Sequence, residues 1–167
     1  DLRPELEAKG YTFYSDGDTE VILKAFHAWG EACVDRFNGM FAFAVWDRSK
    51  RVLTLARDRL GIKPLYLARV KGGLRFASNM QAILAAGGIY TDIDPVALNH
   101  YMNFHAVVPA PHTIVAGVRK LPPATTMTVT ADGKETQRQY WEPVYGTPAE
   151  DARVSEEEWR DRVLASL

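Results

Sequence analysis

The sequence predicts an α+β fold built on antiparallel sheets, and three observations predict it. Between Met40 and Tyr140, strand-forming runs come in pairs joined by short turns. Helical patterns with one apolar face stand before and between these pairs rather than after every strand. A doubly wound sheet needs strand and helix to alternate regularly, so that class is excluded.

Leu2, Leu6 and Ala8 ahead of Gly10 read as a helix closed by a C-terminal glycine, and Tyr11-Thr12-Phe13-Tyr14 reads as a strand. Ser15-Asp16-Gly17-Asp18 then turns the chain into a helix whose Val21, Ile22, Ala25, Phe26 and Trp29 share one face. Gly30 interrupts it, and a short helical piece through Cys33 and Phe37 ends at Asn38-Gly39. Met40 to Trp46 is apolar almost throughout, as for a strand covered on both faces, and Asp47 to Lys50 turns it into Val52-Leu53-Thr54-Leu55. Leu65 to Ala68 and Leu74 to Ala77 form a second hairpin around Gly72-Gly73. Ser78 with Gln81 reads as a capping box for a helix closed by Gly87-Gly88.

Asp94-Pro95 supplies an N-cap and a first-turn proline for a helix with Val96, Leu98, Tyr101 and Met102 as its apolar side. The proline-rich stretch from Val107 to Pro123 reads as loop, and Asp132-Gly133 joins Thr125–Thr130 to Lys134–Tyr140 as a closing hairpin. Residues 143–154 read as a linker, and Ser155 with Glu158 as the capping box of a further helix carrying Trp159, Val163 and Leu164.

With 167 residues, 47% apolar and 25% charged, there is material for one globular domain and a short appendage. Twenty Lys and Arg balance 21 Asp and Glu without long runs of one sign, which argues against a nucleic-acid partner. No apolar stretch approaches the roughly 20 residues that span a bilayer, so no membrane partner is expected. The first residues lack a signal-peptide profile, and a single cysteine, Cys33, permits no internal disulfide; both point to the cytoplasm. A start without Met, inside a helical pattern, reads as a fragment.

Few residues invite chemistry. Cys33 sits at a helical position with no His or Asn arranged around it, which favours a core role over a nucleophile. His100, His105 and His112 lack the spacing of a zinc pair, and His27 reads as a surface residue. Asp16, Asp18 and Glu20 alternate like calcium-loop ligands, but Val21 and His27 stand where that loop needs Gly and Glu. Two readings of the Asp16–Asp18 turn remain: Asp18 as an N-cap, or a carboxylate aimed at a cationic ligand group such as an α-ammonium. In Ala56 to Tyr66, Arg57 and Asp58 read as an ion pair fixing a turn between strands.

Four motifs in order carry a resemblance: Asp18-Thr19-Glu20-Val21-Ile22-Leu23, Phe37-Asn38-Gly39-Met40-Phe41-Ala42-Phe43-Ala44, Ala56-Arg57-Asp58-Arg59-Leu60-Gly61-Ile62-Lys63-Pro64-Leu65-Tyr66 and Phe76-Ala77-Ser78. Over residues 1–142 the chain resembles the glutaminase domain of the glutamine-hydrolysing asparagine synthetases, which are N-terminal-nucleophile hydrolases. Phe104 to Pro111 and Leu121 to Ala124 look like the branch that amidates N-acetylglutaminylglutamine.

The resemblance implies a four-layer αββα sandwich, here incomplete at its N-terminus. It implies an enzyme whose N-terminal cysteine takes ammonia from glutamine through a thioester. It also implies a C-terminal synthetase domain, beginning near residue 155, that uses ATP and Mg to adenylate the accepting carboxylate. The nucleophile and the Asn-Gly-Glu motif would precede Asp1, leaving this fragment without catalytic residues, cofactor or metal, and expected inactive. Of the glutamine-binding residues the resemblance leaves Asp18, with Asp16 as second choice because Gly17 stands where most members have Ser. Glutamine and the synthetase domain are the implied partners, and a homodimer is left open. The competing class is a non-catalytic module that kept the sandwich for binding, distinguished by whether Met-Cys-Gly opens the parent chain.

Overall fold

The computed structural model describes residues 2–146 and 154–166. Helix α1 (Arg3–Ala8) ends at Gly10 in a positive-φ turn, and α2 (Asp18–Trp29) runs into a 3-10 helix, Gly30–Arg36. Strands β1 (Ala42–Asp47) and β2 (Val52–Arg57) form the first hairpin, and β3 (Tyr66–Val70) and β4 (Gly73–Ala77) the second. Helices α3 (Met80–Ala85) and α4 (Pro95–Asn103) follow, then β5 (Arg119–Lys120), β6 (Thr125–Val129), β7 (Glu135–Gln139) and α5 (Glu156–Ser166).

The strands make two antiparallel sheets, ordered β1-β2-β6-β7 and β4-β3-β5. Side chains alternate across a strand, so each sheet can serve two layers at once. On β2, Leu53 and Leu55 face the second sheet, packing with Leu65, Leu67, Leu74, Leu121 and Met127, while Ala56 faces the helices. There Leu6, Ala25, Cys33, Val34 and Phe37 form a core with Phe41, Phe43 and Tyr140. On the far side Ile83 of α3 packs with Ala68 and Val118 against the three-stranded sheet. The result is a helix-sheet-sheet-helix sandwich: the α+β class read from the hairpins, in the four layers that the resemblance implies.

Four local expectations need correction. Tyr11 to Tyr14 is extended but belongs to no strand; its polar groups are met by charged side chains instead of a neighbouring strand. Strand β1 is covered on alternate positions only, not on both faces, and Trp46 is 53% exposed. The cap of α3 is Asn79, whose side chain accepts from Ala82 N–H at 2.8 Å, one residue beyond Ser78.

The fourth concerns α4, which Asp94 caps as expected, accepting from Val96 and Ala97 N–H at 2.9 and 3.0 Å. Its expected core face is not buried: Val96, Leu98, Tyr101 and Met102 are all at least 41% exposed, and only Ala97 is buried. Leu98 and Tyr101 line an open groove with Tyr66, Met80, Ile93 and Ile114. Most of the 143–154 linker falls outside the described residues; Val144 and Tyr145 are 92% and 88% exposed. Among the described residues no helix is long and apolar enough to cross a membrane.

Candidate functional site

The turn before α2 is where charge concentrates. Gly17 is the N-cap residue, extended at φ −74° and ψ 141°, and no side chain caps the helix. Asp18 therefore occupies the first helical position, one residue too late to cap, and the capping reading fails. Nearby, Arg3 of α1 donates to the carbonyls of Ser15 at 2.9 Å and Gly17 at 3.3 Å. Glu20 accepts from the Tyr14 and Ser15 N–H groups and from the Ser15 hydroxyl, and pairs with Lys24 one turn along. These donors, the Lys24 ammonium foremost and the Ser15 hydroxyl next, hold the Glu20 carboxyl down at about 2.

Asp16 and Asp18 line a cleft of about 590 Å³ with Arg3, Val21, Ile22, Arg36, Phe37, Asn38, Gly39, Met40 and Phe41. Arg36 pairs with Glu5 and lies over Trp29, 4.4 Å from the ring centroid, so both cations lining the cleft are engaged. The two aspartates are not. Among the described residues every other aspartate carboxylate holds a donor or a cation: Asp35 with Arg138, Asp47 with Ser49, Asp58 with Lys63, Asp92 with Tyr90, Asp94 with Ala97, Asp132 with Thr130 and Asp161 with Arg160. Asp16 and Asp18 thus present unengaged negative charge to a cavity, beside the positive end of α2.

The other residues singled out by sequence lie elsewhere. Cys33 is fully buried in the helix-side core, and its thiol is pushed up to about 12, by burial first and then by Asp35. The rings of His100 and His112 meet edge to face at 5.8 Å. Arg119 donates to His112 Nδ1 at 2.8 Å, which makes Nδ1 an acceptor and excludes it as a donor to Asp94 3.4 Å away. His105 is exposed, and His27, also exposed, contacts the Tyr11 hydroxyl through Nδ1 at 2.6 Å. Among the described residues no three His, Cys, Asp or Glu side chains group as a metal site.

Arg57 and Asp58 do fix the turn, but not by pairing. The Arg57 guanidinium donates to the carbonyls of Lys63, Leu121 and Gly61 at 2.8, 2.5 and 2.6 Å. The Asp58 carboxylate accepts from the N–H groups of Leu60, Ile62 and Lys63 at 3.2, 2.9 and 2.9 Å. Arg57 and Asp58 are 7% and 1% exposed, so the loop is built around two buried charges, one taking its carbonyls and the other its N–H groups.

With this geometry established, comparison places the chain. A family model described as a glutamine amidotransferase domain matches residues 1–141. The chain belongs to the glutamine amidotransferase domain family. The chain is 38% identical over 167 residues to asparagine synthetase [glutamine-hydrolyzing] 1 of Bacillus subtilis, covering 100% of this chain and 26% of that protein. It is 43% identical over 136 residues to a putative asparagine synthetase [glutamine-hydrolyzing] of Mycobacterium bovis, covering 79% and 21%. This amidotransferase domain therefore spans about a quarter of the length of such relatives. A solved structure of glutamine phosphoribosylpyrophosphate amidotransferase from B. subtilis, complexed with ADP and GMP, shares the fold. Its TM-score is 0.56 at 16% identity, covering 86% of this chain and 27% of that one. The sandwich is that of the N-terminal-nucleophile hydrolases.

Sequence reasoning missed several residues in and behind this cleft. Arg3 and Arg36 reach it from other elements, and no local pattern announces that. Glu20 and Lys24 were legible as an i, i+4 pair on a helix, a signal that marks a helix surface and says nothing of a clamp on the preceding turn.

Proposed function

We propose that the cleft between α1, α2 and the Asn38–Phe41 segment binds the amino-acid end of L-glutamine, with the Asp18 carboxylate taking its α-ammonium. The observation that carries this reading is the pair of carboxylates lacking any partner in a domain that engages its other described aspartates. A cation brought there gains charge-assisted hydrogen bonds without first breaking existing ones. Asp16, two residues away on the same wall, is the alternative ligand.

In this reading the domain is the glutaminase part of an ATP-dependent amidotransferase, passing ammonia to a synthetase domain that amidates an adenylated carboxylate. Aspartate and N-acetylglutaminylglutamine are the two candidate acceptors. The sequence holds one thiol, Cys33, which is buried and does not line the cleft. By itself, then, the domain releases no ammonia from glutamine above background in a coupled assay. Turnover that Cys33→Ala abolishes would overturn that.

Asp18→Asn in the full-length protein tests the ligand role. Asn keeps size and hydrogen-bonding capacity but loses the charge, which weakens glutamine binding about 10-fold to 150-fold. Synthesis from free ammonia bypasses the cleft and serves as the control rate. Unchanged glutamine use in Asp18→Asn, with loss in Asp16→Asn, transfers the role to Asp16. No effect of either removes the cleft from the mechanism.

A further inference from the structure

The segment between α1 and α2 carries Asp16 and delivers Asp18, yet it has no strand partner to hold its shape. Charge holds it instead. Both oxygens of Glu20 approach the Tyr14 N–H, at 3.1 and 3.2 Å, and one takes the Ser15 N–H and hydroxyl, each at 2.8 Å. A glutamate at the third helical position ordinarily reaches back to the N-cap residue. Glu20 reaches past Gly17 to residues two and three positions earlier, tying down the turn rather than the helix end. Lys24 completes the clamp: its ammonium pairs with Glu20, donates to the Thr12 carbonyl and stands 4.2 Å from the Phe13 ring centroid.

From this geometry we infer that Glu20, held by Lys24, is a positioning residue for glutamine: it fixes the turn so that Asp16 and Asp18 meet the α-ammonium in one preset arrangement. The inference rests on reading the cleft as the glutamine site. Donors crowd Glu20, while the two aspartates hold none. Without the second carboxylate oxygen and its charge, the pairing with Lys24 is lost and the Tyr14 and Ser15 donors share a single acceptor, so the turn samples shapes in which the aspartates diverge. Binding then carries an ordering cost that the native turn avoids.

The test compares Glu20→Gln, Lys24→Met, Lys24→Arg and Asp18→Asn in the full-length protein, measuring glutamine-dependent and ammonia-dependent synthesis. Glu20→Gln raises KM for glutamine about 10-fold while kcat stays within about twofold, because what is lost is preorganisation rather than chemistry. Lys24→Arg stays near wild type, and Lys24→Met gives a smaller rise that grows on acidification. The Lys24 ammonium is the largest influence holding Glu20 down at about 2; without it the carboxyl protonates at a higher pH than in the wild type, and KM climbs earlier on acidification than the wild-type KM does.

If Asp18→Asn raises KM and Glu20→Gln does not, the clamp is refuted and the glutamine site stands. If Glu20→Gln lowers ammonia-dependent synthesis and the melting temperature together, Glu20 serves folding and the positioning role is refuted. If Asp18→Asn itself has no effect, the site reading fails and takes the clamp with it.

Discussion

Asp58, itself buried, accepts three backbone N–H groups from a glycine-containing turn whose Leu60 and Ile62 side chains are exposed, and that makes its chemistry testable. Asp58→Asn keeps the shape but turns an amide donor toward a backbone donor. We expect a loss of about 1 to 3 kcal/mol in urea unfolding, the cost of leaving a buried N–H unpaired. Cys33 makes a complementary case. Native protein resists thiol reagents at pH 8 and becomes fully reactive only on unfolding, since burial holds the thiol up at about 12. Because the folded value is raised, this contribution to stability is whole below the ordinary thiol value near 9 and is lost as pH rises toward 12. Sequence placed Cys33 in the core, a fate common to lone cysteines. It could not place Arg57, whose three acceptors include the carbonyl of Leu121, remote in sequence.

Elements were legible where their cause is local. At Asp47-Ser49, Asp47 accepts from Ser49 and Lys50 N–H at 2.9 and 3.0 Å, and Gly72 and Gly133 both stand at positive φ. Residue types alone mark these three turns, and with them the three hairpins. Elements whose cause is distant misled. Tyr11 to Tyr14 has strand chemistry without a neighbour to pair with, and α4 has a helical apolar stripe that faces a groove rather than a core. The cap of α3 slipped by one because Ser78 and Asn79 are both capping residues, and only geometry chooses. That choice predicts that Asn79→Ala costs about 1 kcal/mol in thermal or urea unfolding whereas Ser78→Ala is nearly neutral.

Across the whole molecule, the inter-sheet cluster joins both sheets through Leu55, Leu67, Leu121 and Met127. Truncating Met127, fully buried at that junction, is expected to cost about 2 to 5 kcal/mol and to lower the stability of both sheets together, read as one cooperative transition by hydrogen exchange. The proposed boundary at residues 143–154 is tested by limited proteolysis. Cleavage there should precede any cut in β1 to β4, since Val144 and Tyr145 stand open to solvent. Equal protection of both regions would instead dock α5 on the sandwich. Sequence motifs sufficed for the αββα architecture, while the cleft, assembled from α1, α2 and the segment before β1, became visible only in three dimensions.

The pairing of β2 with β6 also sets a timetable for folding. Leu55 lies opposite Met127, partners about seventy residues apart, and the second hairpin, α3, α4 and β5 are all spelled between them. During synthesis the first hairpin must therefore wait with one edge of β2 unmatched until β6 leaves the ribosome. The inserted sheet, meanwhile, can begin to assemble from its own local hairpin. Stalled nascent chains from which Thr125 has not yet emerged should accordingly expose the β2 edge to chaperones and proteases, and chains stalled far enough on for Gln139 to have emerged should not.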